Sequence, residues 1–375
     1  MIHQYNYSSN INQTFKENLN YCIEQLESLD KFKNIIGVII FIDTISDSDY
    51  FEKKKQIVEI FEQRNWKIPL NIQAQSFNSI VSIEIWIDEA AESIVYIDYE
   101  DISYTRINIS SGKAICGFGI TSKKESIQLQ NQIEYSFETI IGILEKEGMN
   151  LSDIVRQWNY VPGITDINNK TGRSLQHYQV FNEIRQNYYS GFSFNDGYPA
   201  ATGIGTRNGN FDLDFFAVQK NINIVKVGMS NPKQDDAYEY NQKHLLGDTI
   251  SGTLKKAPLF ERAKMLKTNE GIVLFISGTA SIIGQETVGI GDIKKQTEIT
   301  INNMNALVSA MNDYLKSKNN NQFTHLRAYI KNEMDISIVK SVCDSYFPEV
   351  SISYLQADVC RDELLVELEG EVKLV

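Results

Sequence analysis

One order of segments occurs twice in this chain, and that recurrence limits the fold more than any single motif. In the first half, residues 131–147 carry Ile133, Phe137, Ile140, Ile141 and Leu144 on one helical stripe, with Gly148 placed to end the helix. A strand within LSDIVRQWNYVPGI, a helix over 175–189 and two closing strands in YPAATGIG and NFDLDFFAV follow. In the second half the apolar strand IVLFISGTAS precedes a helix over 296–311, the strand HLRAYIK, the helix DISIVKSVCDSYF and the strands VSISYLQADV and ELLVELEGEV. The halves overlay element for element. Gln132-x-Glu134 falls on Gln296-x-Glu298, Tyr160 on Tyr329, and NFDLDFFAV on ELLVELEGEV.

The repeat predicts an α+β protein of two tandem units packed around a shared cleft. The boundaries expected are 1–228 and 229–375, the second unit beginning with a polar, aperiodic connection over 229–260 that reads as a linker or a flap. Ahead of the first repeat, helices are expected over 12–29 and 50–64, and the run IIGVIIFI at 35–42 reads as a buried central strand. Strands of period two are expected over 81–87, 94–98, 104–109 and 114–120.

Composition narrows the function. The net charge of −12 leaves no basic stripe to neutralise phosphates, so nucleic acid and anionic membrane are not expected partners. An acidic chain can still hold a small anion by gathering a few arginines in one pocket. Cys22, Cys116, Cys343 and Cys360 have no paired spacing, and His3, His177, His244 and His325 are equally dispersed, so no disulfide framework, metal site or cofactor is expected. The first residues lack a basic segment followed by an apolar one, and no apolar run is long enough to span a bilayer, so a cytoplasmic protein is expected.

The closing stretch, 355–372, reads as a last strand. If 363–369 is extended, Leu364, Val366 and Leu368 face one way and Leu365, Glu367 and Glu369 the other. A glutamate among apolar neighbours is either on a solvated face or a site acid.

The segments RQWNYVPGI (156–164), HYQVFNEIRQNYY (177–189), YPAATGIG (198–205), LFISGTASIIGQET (274–287) and ADVCRDELLVELEG (357–370) together resemble the chorismatase family. The C-terminal unit alone is similar to the Rid/YjgF proteins, small α+β units with a chorismate-mutase-like barrel that trimerise with sites at subunit boundaries. The resemblance implies two Rid/YjgF-like units in one chain, as a monomer or a homotrimer, acting on chorismate without a cofactor. Pyruvate is released, and the ring product is 3-hydroxybenzoate, in a related branch 4-hydroxybenzoate, or a dihydroxycyclohexadiene carboxylate. Gly278 and Cys360 match the hydroxybenzoate-forming branch. The Tyr-x-Arg usual in the late strand is Tyr329-Ile330-Lys331 here.

Cleaving the enolpyruvyl ether needs a proton delivered to the methylene carbon and cations to hold two carboxylates. Glu367 is the candidate acid, because desolvation favours the neutral carboxyl, and Glu369 is its rival on the same face. Arg185 is the candidate carboxylate clamp, seven residues from Tyr178 and so on one helix face with it, or else a surface arginine. Lys331 and Arg361 are further candidate cations, although Arg361 could pair with Asp362. Ala201 and Thr202 belong to a small-residue strand where backbone could approach a flat ring, or to a tight bend. Cys360 is expected to shape the pocket and steer the intermediate, unless it is only a small buried hydrophobe, and Gly278 to leave room for internal attack by the ring hydroxyl. The competing readings are a Rid-type imine or enamine deaminase and a non-catalytic module that binds an aromatic acid.

Overall fold

The computed structural model describes residues 2–9, 12–77, 80–123, 128–168, 175–245, 255–316 and 321–374. Its first sheet is built from β1 (Ile2–Ser8), β2 (Ile35–Phe41), β3 (Leu70–Gln73) and β4 (Ser82–Asp88), in the order β1-β4-β2-β3. Helices α1 (Phe15–Glu27) and α2 (Asp47–Gln63) cover its outer face. Thr14 and Glu17 close a reciprocal capping box that starts α1.

The second sheet contains β5 (Ser93–Tyr99), β6 (Ile102–Ile109), β7 (Gly112–Thr121), β8 (Ile154–Pro162), β9 (Ala200–Thr206) and β10 (Asp212–Val218), with helices α3 (Leu129–Lys146) and α4 (His177–Tyr189). The third contains β11 (Val225–Met229), β12 (Ala263–Thr268), β13 (Gly271–Ala280), β14 (Asn321–Ile330), β15 (Ser351–Gln356) and β16 (Val366–Leu374), with α5 (Ile293–Leu315) and α6 (Ile336–Tyr346). Their orders are β5-β6-β7-β10-β8-β9 and β11-β12-β13-β16-β14-β15, which are the same path. The repeat read in the sequence is therefore a repeat of topology.

The paired Gln-x-Glu has a physical role. Gln132 accepts a hydrogen bond from the Phe211 amide at 2.7 Å, and Gln296 accepts one from the Leu365 amide at 2.8 Å. Each glutamine thus fixes the chain just before the closing strand of its own unit.

Two features differ from the sequence reading. Residues 1–228 hold the first and second sheets, with a small two-stranded ribbon that pairs 167–168 with 175–176. The first follows the order of the others but lacks the leading hairpin, so it joins the tandem pair as a shortened third unit. The stretch 355–372 is not one strand. β15 lies parallel on one side of β14 and β16 antiparallel on the other, so the chain must cross over between them, and the connection carries Cys360 and Arg361.

The inner faces of all three sheets meet in one core containing Trp86, Phe118, Trp158, Phe216, Phe275 and Tyr329. Trp86 sits edge-on to both Phe118 and Trp158, with ring centroids at 5.5 and 5.2 Å. Gly37 lets β2 approach this core, since a Cβ there would lie 2.1 Å from the Phe118 ring. Gly37→Ala is expected to cost about 1–3 kcal/mol by overpacking, read as a lower urea midpoint at unchanged slope.

Candidate active site

β16 runs through the centre of the third sheet and presents alternate residues to opposite faces. Val366, Leu368 and Val372 pack toward α5 and α6, while Glu367 and Glu369 point inward, 5% and 3% exposed. A bulge in the pairing of β13 with β16, between Ile276 and Thr279, leaves Ser277 and Gly278 facing Glu369. The Gly278 amide donates to the Thr202 hydroxyl at 2.9 Å, and the Ala201 amide donates to the Ser277 hydroxyl at 2.9 Å. β9 of the second unit is thereby stitched to β13 of the third. A Cβ on Gly278 would lie 1.9 Å from Oε1 of Glu367, so only glycine leaves that carboxyl where it is.

The two glutamates, two residues apart, are in opposite electrostatic settings. Burial alone would raise Glu369, but Arg156 at 2.5 Å and Arg327 at 3.0 Å outweigh it. Trp158 and Tyr329 donate to the same carboxylate at 2.9 Å each, and the Thr202 hydroxyl also bonds it, so Glu369 stays below the ordinary carboxylate range. Among the described residues, Glu367 has no such partners. Burial, helped by the charge of Glu369 and opposed by Arg156 and Arg262, pushes its carboxyl up to about 8. Paired acids with separated protonation states are the pattern of a proton donor beside a fixed anion.

Glu367 opens into a cavity between the second and third units. Tyr178 and Asn182 of α4 and Ala201 and Gly203 of β9 form one wall. Gly278, Ala280, Cys360, Arg361 and Leu364 form the opposite wall, and Tyr240, Phe260 and Arg262 from the connection close the side. Gly203 allows the Tyr178 ring to lie close, since a Cβ there would approach it to 2.8 Å.

Arg262 and Arg361 are both buried, and among the described residues neither is within ion-pair distance of a carboxylate. Arg262 bonds the Asp235 carbonyl and the Tyr240 hydroxyl, the latter at 2.6 Å. Arg361 bonds the Gln285 carbonyl at 2.9 Å and leaves Nη2 unpartnered. Buried guanidinium without a counter-ion is costly, so the cavity is complementary to an anion. Burial, with Glu367 beside it, pushes the Cys360 thiol up to about 12, which keeps it protonated and unsuited to nucleophilic attack.

Glu367, Cys360, Gly278, Tyr178, Ala201 and Arg361 thus line one cavity. Thr202 lies behind it, bonded to Glu369. Arg185 is buried one layer back and donates at 2.7 Å to Asn182, which does line the cavity. Lys331, just past the end of β14, is not among the lining residues, because its ammonium is held on the Asp362 carbonyl at 3.0 Å. Arg156, Arg262 and Arg327 escaped the sequence reading. For two of them a signal was present: at period two, Arg156 shares a face with Trp158 and Tyr160, and Arg327 shares one with Tyr329. Among the described residues, no group of three or more His, Cys, Asp or Glu could hold a metal ion, and no helix is long and apolar enough to cross a membrane.

Comparison with known proteins fits this geometry. Residues 95–217 match the family model described as Chorismatase FkbO/Hyg5-like, N-terminal. A 3-hydroxybenzoate synthase of Streptomyces hygroscopicus is 30% identical over 247 residues, 63% of this chain and 68% of that protein. A chorismatase of the same organism is 30% identical over 261 residues, 68% of this chain and 71% of that protein. The chain belongs to the chorismatase family. A crystal structure of a chorismatase superposes with a TM-score of 0.72 at 20% identity, covering 99% of both chains, so the shared fold extends over the whole molecule. As a member of this family the protein is an enzyme.

The two glutamates of this chorismatase should respond differently to neutralisation. Glu369→Gln leaves Arg156 and Arg327 buried beside a neutral amide and is expected to cost about 3–5 kcal/mol. Glu367→Gln imitates the protonated acid. A carboxyl raised in the folded state contributes stability fully below its ordinary value of 4.5, and that contribution is lost as pH climbs to about 8. Denaturation from pH 4.5 to 8 should therefore show the parent losing ground to Glu367→Gln, by about 1.4 kcal/mol per pH unit at most.

Proposed function

We propose that this chorismatase cleaves the enolpyruvyl ether of chorismate to pyruvate and 3-hydroxybenzoate, with Glu367 as general acid. The observation that carries the reading is the pair of buried carboxyls two residues apart, one raised to about 8 and the other held ionised by two guanidiniums. Glu367 stays protonated at neutral pH and delivers its proton to the enolpyruvyl methylene. The positive charge that develops at the ether carbon forms near the Glu369 carboxylate, which is already fixed and needs no reorganisation. Arg262 and Arg361 take the two substrate carboxylates, and Arg185 aligns Asn182 with the bound ring.

The ring product follows from which nucleophile reaches the ring carbon that bears the ether. Tyr178, Ala201, Gly278 and Cys360 pack against the ring and keep water from that carbon. The neighbouring ring hydroxyl attacks it and gives up its proton, and pyruvate departs with the ether oxygen. The resulting epoxide opens at its other C–O bond, one proton leaves the ring carbon and one returns to the oxygen, giving the phenol. No water is consumed, and the hydroxyl proton restores Glu367. Attack by water at the same stage gives the dihydroxycyclohexadiene acid instead. The identity of this chain to a 3-hydroxybenzoate synthase supports the first outcome.

Pyruvate release from chorismate is the direct assay, with the ring acid identified by chromatography. Glu367→Gln should lower kcat by about 10²–10⁴-fold, and a rate unchanged from the parent contradicts the assigned acid. In the parent, kcat/KM should fall as pH rises through about 8, where the free enzyme loses the Glu367 proton. Gly278→Ala must displace the Glu367 carboxyl, so it should slow turnover and raise the share of dihydroxycyclohexadiene acid, and an unaltered product ratio removes Gly278 from product control.

A further inference from the structure

The cleft between the first and second units repeats the construction of the active site. β7 pairs with β10 through the same bulge, between Gly117 and Ile120, which places Gly119 where β13 has Gly278. In this register Asp212 stands opposite Thr121 as Glu367 stands opposite Ala280, and Asp214 takes the place of Glu369. Asn71 on β3 occupies the position of Thr202 on β9, and it donates to both oxygens of Asp214 at 2.8 Å. The Gly119 amide donates to Asp214 at 2.7 Å. α2 precedes β3 as α4 precedes β9, and it turns Lys54 toward the cleft.

The cleft is a built cavity of about 520 Å³, within the range of small-molecule sites. Trp66, Phe51 and Phe118 give it aromatic walls, and Lys54 and Asp212 give it polar ends. Asp212 is 1% exposed, and Gln73 satisfies its Oδ2 at 3.2 Å, but among the described residues Oδ1 has no hydrogen-bond partner. Asp212 lines the cavity, and a buried carboxyl oxygen without a partner beside it favours a ligand that brings a hydrogen-bond donor to it. Among the described residues Lys54 bonds the Tyr50 hydroxyl alone, at 3.4 Å, and the nearby Tyr50 and Asp212 favour its charged form against burial.

We infer that this cleft is a second small-molecule site, which binds a hydroxylated cyclic carboxylic acid with its carboxylate on Lys54, a ring hydroxyl on Asp212 Oδ1 and its ring between the aromatic walls. It is a binding site without turnover. Asp214 meets amide donors where Glu369 meets two guanidiniums, so no fixed anion with buried cationic partners stands beside Asp212. The inference rests on this cleft alone and is independent of the reaction proposed above.

Calorimetric titration of the full chain with 3-hydroxybenzoate tests it, alongside Lys54→Met, Asp212→Asn and the parent. Lys54 is only half-buried and methionine keeps its stem, so the fold should persist, and melting curves check this. The expected result is a binding event weakened about tenfold to a hundredfold in both variants, with the kcat for pyruvate release from chorismate unchanged in Lys54→Met. A second event, insensitive to both substitutions, reports product in the active cavity. If that second event and chorismate turnover are both absent while the Lys54-dependent event remains, the proposed reaction fails and this site stands. Binding that is insensitive to both variants, or no binding at all, overturns the site.

Discussion

A buried chain of charges joins the three sheets. Arg156 from the second sheet meets Glu369 of the third at 2.5 Å, Glu369 meets Arg327 at 3.0 Å, and Arg327 continues to Glu84 of the first at 3.0 Å. His325 closes on Glu84 at 3.2 Å. Removing these groups from water is expensive, and Arg156, Glu369, Arg327 and Glu84 are tolerated because their neighbours neutralise and hydrogen-bond them. Burial alone would raise Glu84, but Arg327 and His325 hold it below the ordinary range. The consequence for function is local. Arg156 and Arg327 are committed to Glu369, so burial and the charge of Glu369 outweigh the cations that face Glu367, two residues along the strand, and it keeps its proton.

The three units share one template and have been filled differently. At the position of Glu369, the second unit has Asp214 and the first has Glu84, and each receives a hydrogen bond from the equivalent edge-strand side chain: Thr202, Asn71 and Ser353. At the position of Glu367 the residues are Asp212 and Ser82. The cleft between the third and first units is bridged by Asn6 to Ser351 at 3.1 Å and Gln4 to Glu371 at 3.1 Å. Thus one cleft combines a raised acid with a clamped anion, one has acids without guanidinium partners, and one is crossed by side-chain contacts. Divergence of equivalent positions within one chain gives each cleft its own chemistry, which identical subunits around a threefold axis could not do.

Much of the architecture was legible in the sequence because hydrophobic period and turn residues report local structure. The apolar run at β2, the stripe of α3 with Gly148 at its end and the paired helix-opening glutamines all appear where the pattern placed them. The first unit was hidden because, without a leading hairpin, its order does not start as the others do. The break between β15 and β16 was hidden because a crossover is set by which side of β14 each strand pairs with, and that is a long-range fact. The cavity residues on β16, β13 and the crossover were readable through the resemblance to chorismatases. The roles of Arg156 and Arg262 were not, since they depend on a neighbouring unit: the period-two pattern puts Arg156 on a face with Trp158 and Tyr160 but does not show that it reaches across to Glu369, and the Phe-x-Arg at 260–262 does not show that Arg262 turns into the cavity.

The central claim is that two carboxyls on one strand face hold opposite protonation states. Infrared difference spectroscopy over pH 6 to 10 reads this directly through the C=O stretch of a protonated carboxyl. The account predicts a protonated-carboxyl component that titrates with a midpoint of about 8 and is lost in Glu367→Gln, beside a component from buried Asp214 that titrates at about 7 and remains. A protein in which the component with a midpoint of about 8 is missing, or survives unchanged in Glu367→Gln, would contradict it.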